Sequence, residues 1–199
     1  MNFEIEIKLR LPADLSKIRR SLRKLGFRVA ETRSHETNVL FDSLKDPLGE
    51  QGKLLRIRRA GRHGLLTYKG PSKSVRYKKR HELEVYVSDA DVVEEIFKKI
   101  GYQPVFRYEK FRTEFVEPSK TDGKVMLDET PVGNFLELEG APRWIGRTAR
   151  LLGFSDADYI TGSYGYLHML HCRERGIRAK DMLFATFSKK PERLRGKKP

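Results

Sequence analysis

Charged residues recur two apart along short segments of this chain, with apolar residues between them. In Phe3–Leu11, Glu4, Glu6, Lys8 and Arg10 fall on one side, and Phe3, Ile5, Ile7 and Leu9 on the other. Six later segments repeat the habit, with Arg56 and Arg58; Lys69; Arg80, Glu82 and Glu84; Lys110, Arg112 and Glu114; Lys124 and Asp128; and Glu137 and Glu139. Arginine and lysine side chains bind phosphate oxygens as forks and point charges. Carboxylates supply the hard oxygen ligands that Mg²⁺ or Mn²⁺ prefers. Charge of both signs on one buried face is costly unless it is paired or bound to an ion. A triphosphate with a divalent metal is a ligand that reconciles the two signs.

Such faces need elements to hold them. Eight segments alternate with period 2 and are expected as strands: 3–11, 37–42, 53–59, 65–69, 79–87, 107–116, 124–128 and 135–139. Turn residues separate most of them, for example Gly70-Pro71-Ser72 and Pro131-Val132-Gly133. A helix is expected from about Pro12 to Leu25, with Leu15, Ile18, Leu22 and Leu25 on one face and Gly26 stopping it. A second starts at an N-cap Ser88, presents Val92, Val93, Ile96 and Ile100, and stops at Gly101. The strand-helix-strand pattern thus occurs in both halves. Further helical stretches cover 144–152 and about 163–173. The expected fold class is α+β: a closed eight-stranded antiparallel β-barrel, wide enough for one small ligand, with helices packed outside on Ile5, Ile7, Leu55, Ile57, Leu83, Val85 and Leu138. The charges then line a tunnel.

The 199 residues suit one domain, expected over 1–175. No stretch approaches the roughly 20 apolar residues of a membrane span, and Met1–Glu4 lacks a secretory pattern. No membrane partner is expected, and the cytoplasm is the expected location. Cys172 is the single cysteine, which excludes an internal disulfide. The net charge of +14 favours polyanionic partners. Half of it falls in the last 27 residues, which hold ten Lys or Arg and three acids. Residues 176–199 are therefore expected as a basic tail, mobile at least over 189–199, where apolar surface is nearly absent.

Other signals carry less. His168, His171 and Cys172 cluster in a helical stretch without a second ligand group and are expected at the surface. Gly49 to Lys53 lacks the spacing of a phosphate loop and reads as a turn. The six basic residues between Lys69 and Arg80 suggest a second class of function, a basic nucleic-acid-binding barrel with structural carboxylates. Nucleic acid is not the expected partner, because a surface for it should avoid acids, and aromatic interleaving is confined to Tyr77.

The motif Glu4-Ile5-Glu6-Ile7-Lys8 resembles the N-terminal ExExK signature of the CYTH superfamily, the triphosphate tunnel metalloenzymes. Leu-Arg56-Ile-Arg58, Leu-Thr-Tyr-Lys69-Gly-Pro, Arg80-His-Glu82-Leu-Glu84, Lys110-Phe-Arg112, Leu-Asp128 and Glu137-Leu-Glu139 follow in the family's order, over roughly residues 1–165. Glu36 to Asp42 and Ser163-Tyr164 make the chain most similar to bacterial class IV adenylyl cyclase-like members. The resemblance implies Mg²⁺ or Mn²⁺ held by Glu4, Glu6, Asp128, Glu137 and Glu139, with Glu82 and Glu84 as further acids. It implies a triphosphate, expected to be ATP, bound by Lys8, Arg56, Arg58, Lys69, Arg80, Lys110 and Arg112. Lys8, Arg58 and Asp128 are the expected catalytic residues, with Lys8 given a lowered pKa by neighbouring cations and serving as base. Cyclisation of ATP to cyclic AMP and pyrophosphate is the expected reaction. Hydrolysis of inorganic or thiamine triphosphate is the alternative, and a homodimer is left open.

Overall fold

The computed structural model describes residues 3–60, 63–74, 76–118 and 123–188. Nine strands form: β1 (Phe3–Leu11), β2 (Arg28–Ser43), β3 (Leu54–Ala60), β4 (His63–Lys69), β5 (Lys73–Ser74), β6 (Lys78–Val87), β7 (Tyr102–Val116), β8 (Gly123–Thr130) and β9 (Gly133–Gly140). The order β1-β9-β8-β7-β2-β3-β4-β6 closes through antiparallel pairing of β6 with β1, giving the eight-stranded barrel. The short β5 is appended to β6.

Five α-helices accompany the barrel among the described residues: α1 (Ser16–Lys24), α2 (Ala90–Lys99), α3 (Pro142–Leu151), α4 (Tyr164–Glu174) and α5 (Phe184–Ser188). α1 links β1 to β2 past the three strands β9, β8 and β7, and α2 links β6 to β7 past β4, β3 and β2. The two halves of the barrel are built alike. Gly26 and Gly101, at φ +89° and +97°, end these helices in the left-handed region that glycine enters without a Cβ clash.

Helix starts differ from expectation. α1 begins at Ser16, where Asp14 accepts hydrogen bonds from the Ser16 amide and hydroxyl. α2 is capped by Asp89 and not Ser88, its carboxylate accepting from the amides of Asp91 and Val92 at 3.0 Å. With two capping residues in succession, the cap falls on the one whose carboxylate takes both free amides.

Two apolar clusters lie outside the barrel. Ile18 and Leu22 of α1 and Trp144 and Ile145 of α3 cover Ile7, Leu9, Val125, Leu127, Leu136 and Leu138. Val93 and Phe97 of α2 cover Val39, Phe41 and Ile57. Leu83 and Val85 on the outer side of β6, expected beneath a helix, are exposed. The crossing of α2 ends over β4, and α1 lies on the other side of the barrel.

The chain beyond β9 seals strand edges. Ile160 exchanges backbone hydrogen bonds with Lys8, on the part of β1 that β6 does not reach. Met182 donates to the Arg107 carbonyl and accepts from the Glu109 amide, on the part of β7 that β8 does not reach. Met182 is fully buried among Tyr108, Tyr164 and Leu167. Residues 177–188, expected in a tail, therefore lie against the barrel; 189–199 lie outside the described residues. No helix among the described residues is long and apolar enough to cross a membrane.

Candidate active site in the tunnel

Every strand of the barrel except β2 and β9 contributes a cation to the interior, Lys124 of β8 among them. The cavity is lined by nine cations, Lys8, Arg56, Arg58, Lys69, Lys78, Arg80, Lys110, Arg112 and Lys124, and by six carboxylates, Glu4, Glu6, Glu82, Glu84, Glu137 and Glu139. It encloses about 800 Å³, counting the solvent at its mouths. Leu40, Leu54, Tyr108 and the start of α4 at Ser163, Tyr164 and Gly165 complete the wall.

Pairing follows strand register. Glu6 sits opposite Lys78 on β6 and opposite Glu139 on β9, and Lys8 sits opposite Glu137. The Lys8 ammonium lies 2.9 Å from Glu6 and 3.1 Å from Glu137, and Lys78 donates to the same Glu6 oxygen. Lys69 donates to both oxygens of Glu4 at 2.7 Å and lies 2.9 Å from Glu82. Arg56 donates to Thr67 at 3.0 Å and to the Tyr108 hydroxyl at 3.3 Å, and approaches Glu84 at 3.4 Å. Arg58 donates to Asn38 at 3.3 Å and approaches Glu36 at 3.5 Å.

These neighbours set the protonation states. Burial alone would raise Glu6, but Lys8, Lys78 and Lys69 outweigh it and hold the carboxyl well below its usual range. Burial likewise opposes the charge on Lys8, yet Glu137 and Glu6 raise its pKa above that of a free lysine. The expectation of Lys8 as a base with lowered pKa is therefore wrong. Spacing showed the surrounding cations but not that two carboxylates lie closer. The lysine whose pKa does fall is Lys78, lowered by burial to about 8 with Lys8 and Arg80 adding to the shift against Glu6. Burial raises Glu139 to about 7, with Glu4, Glu137 and Glu6 reinforcing it against Lys124. Burial also raises Glu82 to about 7, with Glu4 reinforcing it against Lys69.

Asp128 behaves differently from the other carboxylates. It is fully buried and does not line the cavity. Arg112 grips it as a fork at 2.7 and 2.6 Å, Lys110 donates at 3.0 Å and the Tyr164 hydroxyl at 2.6 Å. Four donors leave its oxygens little capacity for an ion. Its placement suits aiming Arg112 and Lys110 at the tunnel, from behind them. Expectation made it both a metal ligand and a catalytic group.

The remaining acids fit a divalent metal in donor type, since Glu4, Glu6, Glu137 and Glu139 offer only hard oxygens. Glu139, resisting ionisation beside three other carboxylates, is a position that a cation would favour. In this arrangement Glu4, Glu6 and Glu137 rest on ammonium or guanidinium groups, and among the described residues no three acids, histidines or cysteines converge closely enough to hold an ion. For phosphate, the fit rests on donors. The Nε atoms of Arg56 and Arg80 are buried without hydrogen-bond partners.

Expectation missed Lys78, Glu36, Tyr108 and Tyr164. Glu36, held at about 2 against burial by Lys110 and Arg58, lies behind the cations. Of the basic run between Lys69 and Arg80, Lys69, Lys78 and Arg80 are buried inside the tunnel, which removes them from any external nucleic-acid surface. His168 and Cys172, expected at the surface, are buried at 3.7 Å from each other, and a His168 ring nitrogen lies 2.7 Å from the Lys180 carbonyl.

The CYTH domain model matches residues 2–164. A protein of Methanocaldococcus jannaschii, named as a candidate adenylate cyclase, is 34% identical over 137 residues, covering 68% of this chain and 75% of its own length. Among solved structures, a Pyrococcus horikoshii protein is 25% identical with a TM-score of 0.67, over 81% of this chain and 96% of that one. A candidate adenylate cyclase of Vibrio parahaemolyticus has a TM-score of 0.73 at 20% identity, over 83% and 97%. A Hippeastrum protein, described as a candidate adenylyl cyclase with a dominant triphosphatase activity, has a TM-score of 0.56 at 19% identity, over 82% and 94%.

Proposed function

The chain belongs to the CYTH family, and on that premise we propose that it is a divalent-metal-dependent enzyme acting on a triphosphate held in the tunnel, with cyclisation of ATP as its reaction. The observation that carries this reading is the pairing of cations with carboxylates inside one closed wall. A triphosphate entering the tunnel competes for Arg56, Arg58, Lys69, Arg80, Lys110 and Arg112, whose donors now rest mainly on carboxylates and, for Arg56 and Arg58, also on Thr67, Tyr108 and Asn38. Each cation that turns to phosphate leaves a buried carboxylate unpaired, which is costly. A divalent cation held by Glu4, Glu6, Glu137 and Glu139 would relieve that cost and offset charge on the phosphate oxygens.

The chain's own residues then bind and orient. Arg112, fixed from behind by Asp128, and Arg58, fixed by Glu36 and Asn38, present guanidinium groups with little freedom left to lose. Lys8 stays protonated between Glu6 and Glu137 and serves as a fixed positive charge beside the phosphates. In cyclisation the ribose 3′-oxygen attacks the α-phosphorus, its proton passes to solvent water, and the bond to the bridging oxygen breaks to release pyrophosphate. The uncharged stretch of wall formed by Leu40, Leu54, Tyr108 and Tyr164 is where a nucleoside would find apolar contact.

Hydrolysis of the terminal phosphate is the second reading. Its support is the predominance of charged side chains in the lining, which offers a bare triphosphate partners without any organic group. The test is incubation with ATP, tripolyphosphate and thiamine triphosphate in turn, with Mg²⁺ or Mn²⁺ and with a chelator. Cyclic AMP with equimolar pyrophosphate supports cyclisation. Orthophosphate without cyclic nucleotide supports hydrolysis, and metal-independent turnover or none on any triphosphate overturns both.

A further inference from the structure

The two crossing helices hold like positions in the two halves of the barrel but differ in charge. α2 mixes Asp91, Glu94 and Glu95 with Lys98 and Lys99, and its acids are engaged, Asp91 and Glu94 by Arg59 at 2.7 Å and Glu95 by Lys98 at 2.6 Å. α1 has no acid and five cations, Lys17, Arg19, Arg20, Arg23 and Lys24. Ile18 and Leu22 face the barrel, so the cations take the whole solvent side. Several of them stand three or four residues apart, where like charges destabilise a helix, and no acid in the first turn complements the dipole. The fold does not demand this arrangement, because α2 crosses the barrel without it.

α3 continues the face. Its Trp144, Ile145 and Ala149 enter the same apolar cluster as Ile18 and Leu22, and the ring of Phe27, just past α1, meets Trp144 edge to face at 6.3 Å. Arg143, Arg147 and Arg150, spaced i, i+4 and i+7, are exposed on its outer side, and α3 has no acid either. Glu129 lies 3.6 Å from Arg19 and Glu117 lies 3.7 Å from Arg147. Lys17, Arg20, Arg23, Lys24, Arg143 and Arg150 make no ion pair among the described residues. We propose that α1 and α3 form a binding face for double-stranded nucleic acid, held through its phosphates without regard to sequence. It is separate from the tunnel, to whose wall neither helix contributes. A polyanion of one sign suits a face of the other, and six of the eight cations are arginine, whose fork matches phosphate. A protein partner needs apolar anchors at the centre of its interface, and a helix lying in a membrane surface needs an apolar stripe free to insert. α1 exposes no apolar side chain, and of the large apolar residues of α3 only Leu151, its last, is exposed. Single strands stack on aromatic rings, and neither helix exposes one. The basic run between Lys69 and Arg80 fails as such a surface because its cations turn into the tunnel beside acids, whereas these two helices carry none. The chain also leaves the described residues beside this face. Phe184 of α5 packs on Phe111 at 5.2 Å, Arg33 covers that ring at 3.6 Å, and Arg33 and Arg19 share Glu129. Residues 189–199, with six Lys or Arg and one acid in sequence, follow from there.

Fluorescence anisotropy of a short labelled duplex with hydroxyl ends, which offer the tunnel no terminal phosphate, tests the proposal with the full chain at several salt concentrations. Engagement of about four phosphates should make the affinity fall about a hundredfold between about 50 and 200 mM salt. Arg20→Gln with Arg23→Gln should lower the affinity about tenfold and reduce the slope of log affinity on log salt by about two, with circular dichroism melting as the check on the fold. Lys98→Gln with Lys99→Gln makes the same charge change on α2 and should leave affinity and slope as they were. Truncation after Ser188 should weaken binding without abolishing it. Absence of salt-dependent binding, an equal loss from the α1 and α2 variants, or complete loss on truncation would each overturn the face. Tighter binding to a single strand of equal length would overturn the preference for a duplex, and binding to phosphatidylserine vesicles in place of the duplex would assign the face to a membrane surface and overturn the proposal.

Discussion

If Glu139 ligates a metal in the tunnel as proposed, binding should depend on pH. Burial, reinforced by Glu4, Glu137 and Glu6, raises its pKa from 4.5 to about 7. A carboxylate must be ionised to ligate a metal, so protons compete with the ion. A group with a pKa of about 7 is about one-tenth ionised at pH 6 and about nine-tenths at pH 8, so Mn²⁺ affinity should rise about tenfold across that interval. Titration calorimetry of the metal-free chain measures it. Repetition in buffers of different protonation enthalpy should show close to one proton released per ion at about pH 6 and almost none at about pH 8. Glu139→Gln should bind Mn²⁺ more weakly at the higher pH and lose most of the pH slope. An affinity equal at both pH values, or a slope unchanged in the glutamine variant, would refute Glu139 as a ligand. The sign for stability runs the same way. The folded pKa lies above the unfolded one, so this group's contribution to the metal-free protein is present in full below about pH 4.5 and is lost as the pH rises through about 7. Glu82, also raised to about 7, acts with the same sign. Added Mn²⁺ should therefore raise the melting temperature more at pH 8 than at pH 6.

Asp128→Asn removes a buried charge and leaves Lys110 and Arg112 less compensated, which should cost about 3–5 kcal/mol and lower the Tm by roughly 6–20 °C in a thermal melt. An unchanged Tm would show that Asp128 does not brace these cations. Arg58→Ala removes a charge-assisted donor worth about 1.5–3 kcal/mol, so tripolyphosphate affinity by calorimetry should fall roughly tenfold or more. Met182→Ala should destabilise the chain by about 2–5 kcal/mol in urea unfolding, while truncation after Ser188 should leave both stability and turnover as they were.

The eight barrel strands and both crossing helices were legible because each charged face keeps period 2 and each helix keeps an apolar stripe closed by glycine. Legibility failed where the period is absent. Residues 28–35 of β2 are exposed on both faces, so nothing in Arg28-Val-Ala-Glu-Thr-Arg-Ser-His35 alternates, and the strand was expected to start only at Thr37. That boundary left out Glu36, which shares the inward parity of Asn38 and Leu40. Starting the fifth expected strand at Lys79 left out Lys78 in the same way, although Lys78, Arg80, Glu82 and Glu84 form one inward row. A one-residue error at a strand end costs a whole side chain on the buried face.

A second kind of information never resides in spacing. Tyr164 reaches Asp128 from a helix outside the barrel, and Met182 reaches Tyr108 from beyond that helix; neither contact has a periodic trace. The protonation of Lys8 belongs to the same kind. The cations of the other strands argue for a lowered pKa, but the outcome turns on two carboxylates within about 3 Å, one on its own strand and one on β9. Coulomb interactions of opposite sign grow as distance shrinks, so register decides which sign wins. Lys78 makes the contrast plain: it shares Glu6 with Lys8 but has no second carboxylate of its own, and its pKa falls while that of Lys8 rises. Two lysines of the same type, both buried and bonded to one carboxylate, thus differ in charge stability because β9 brings Glu137 to Lys8.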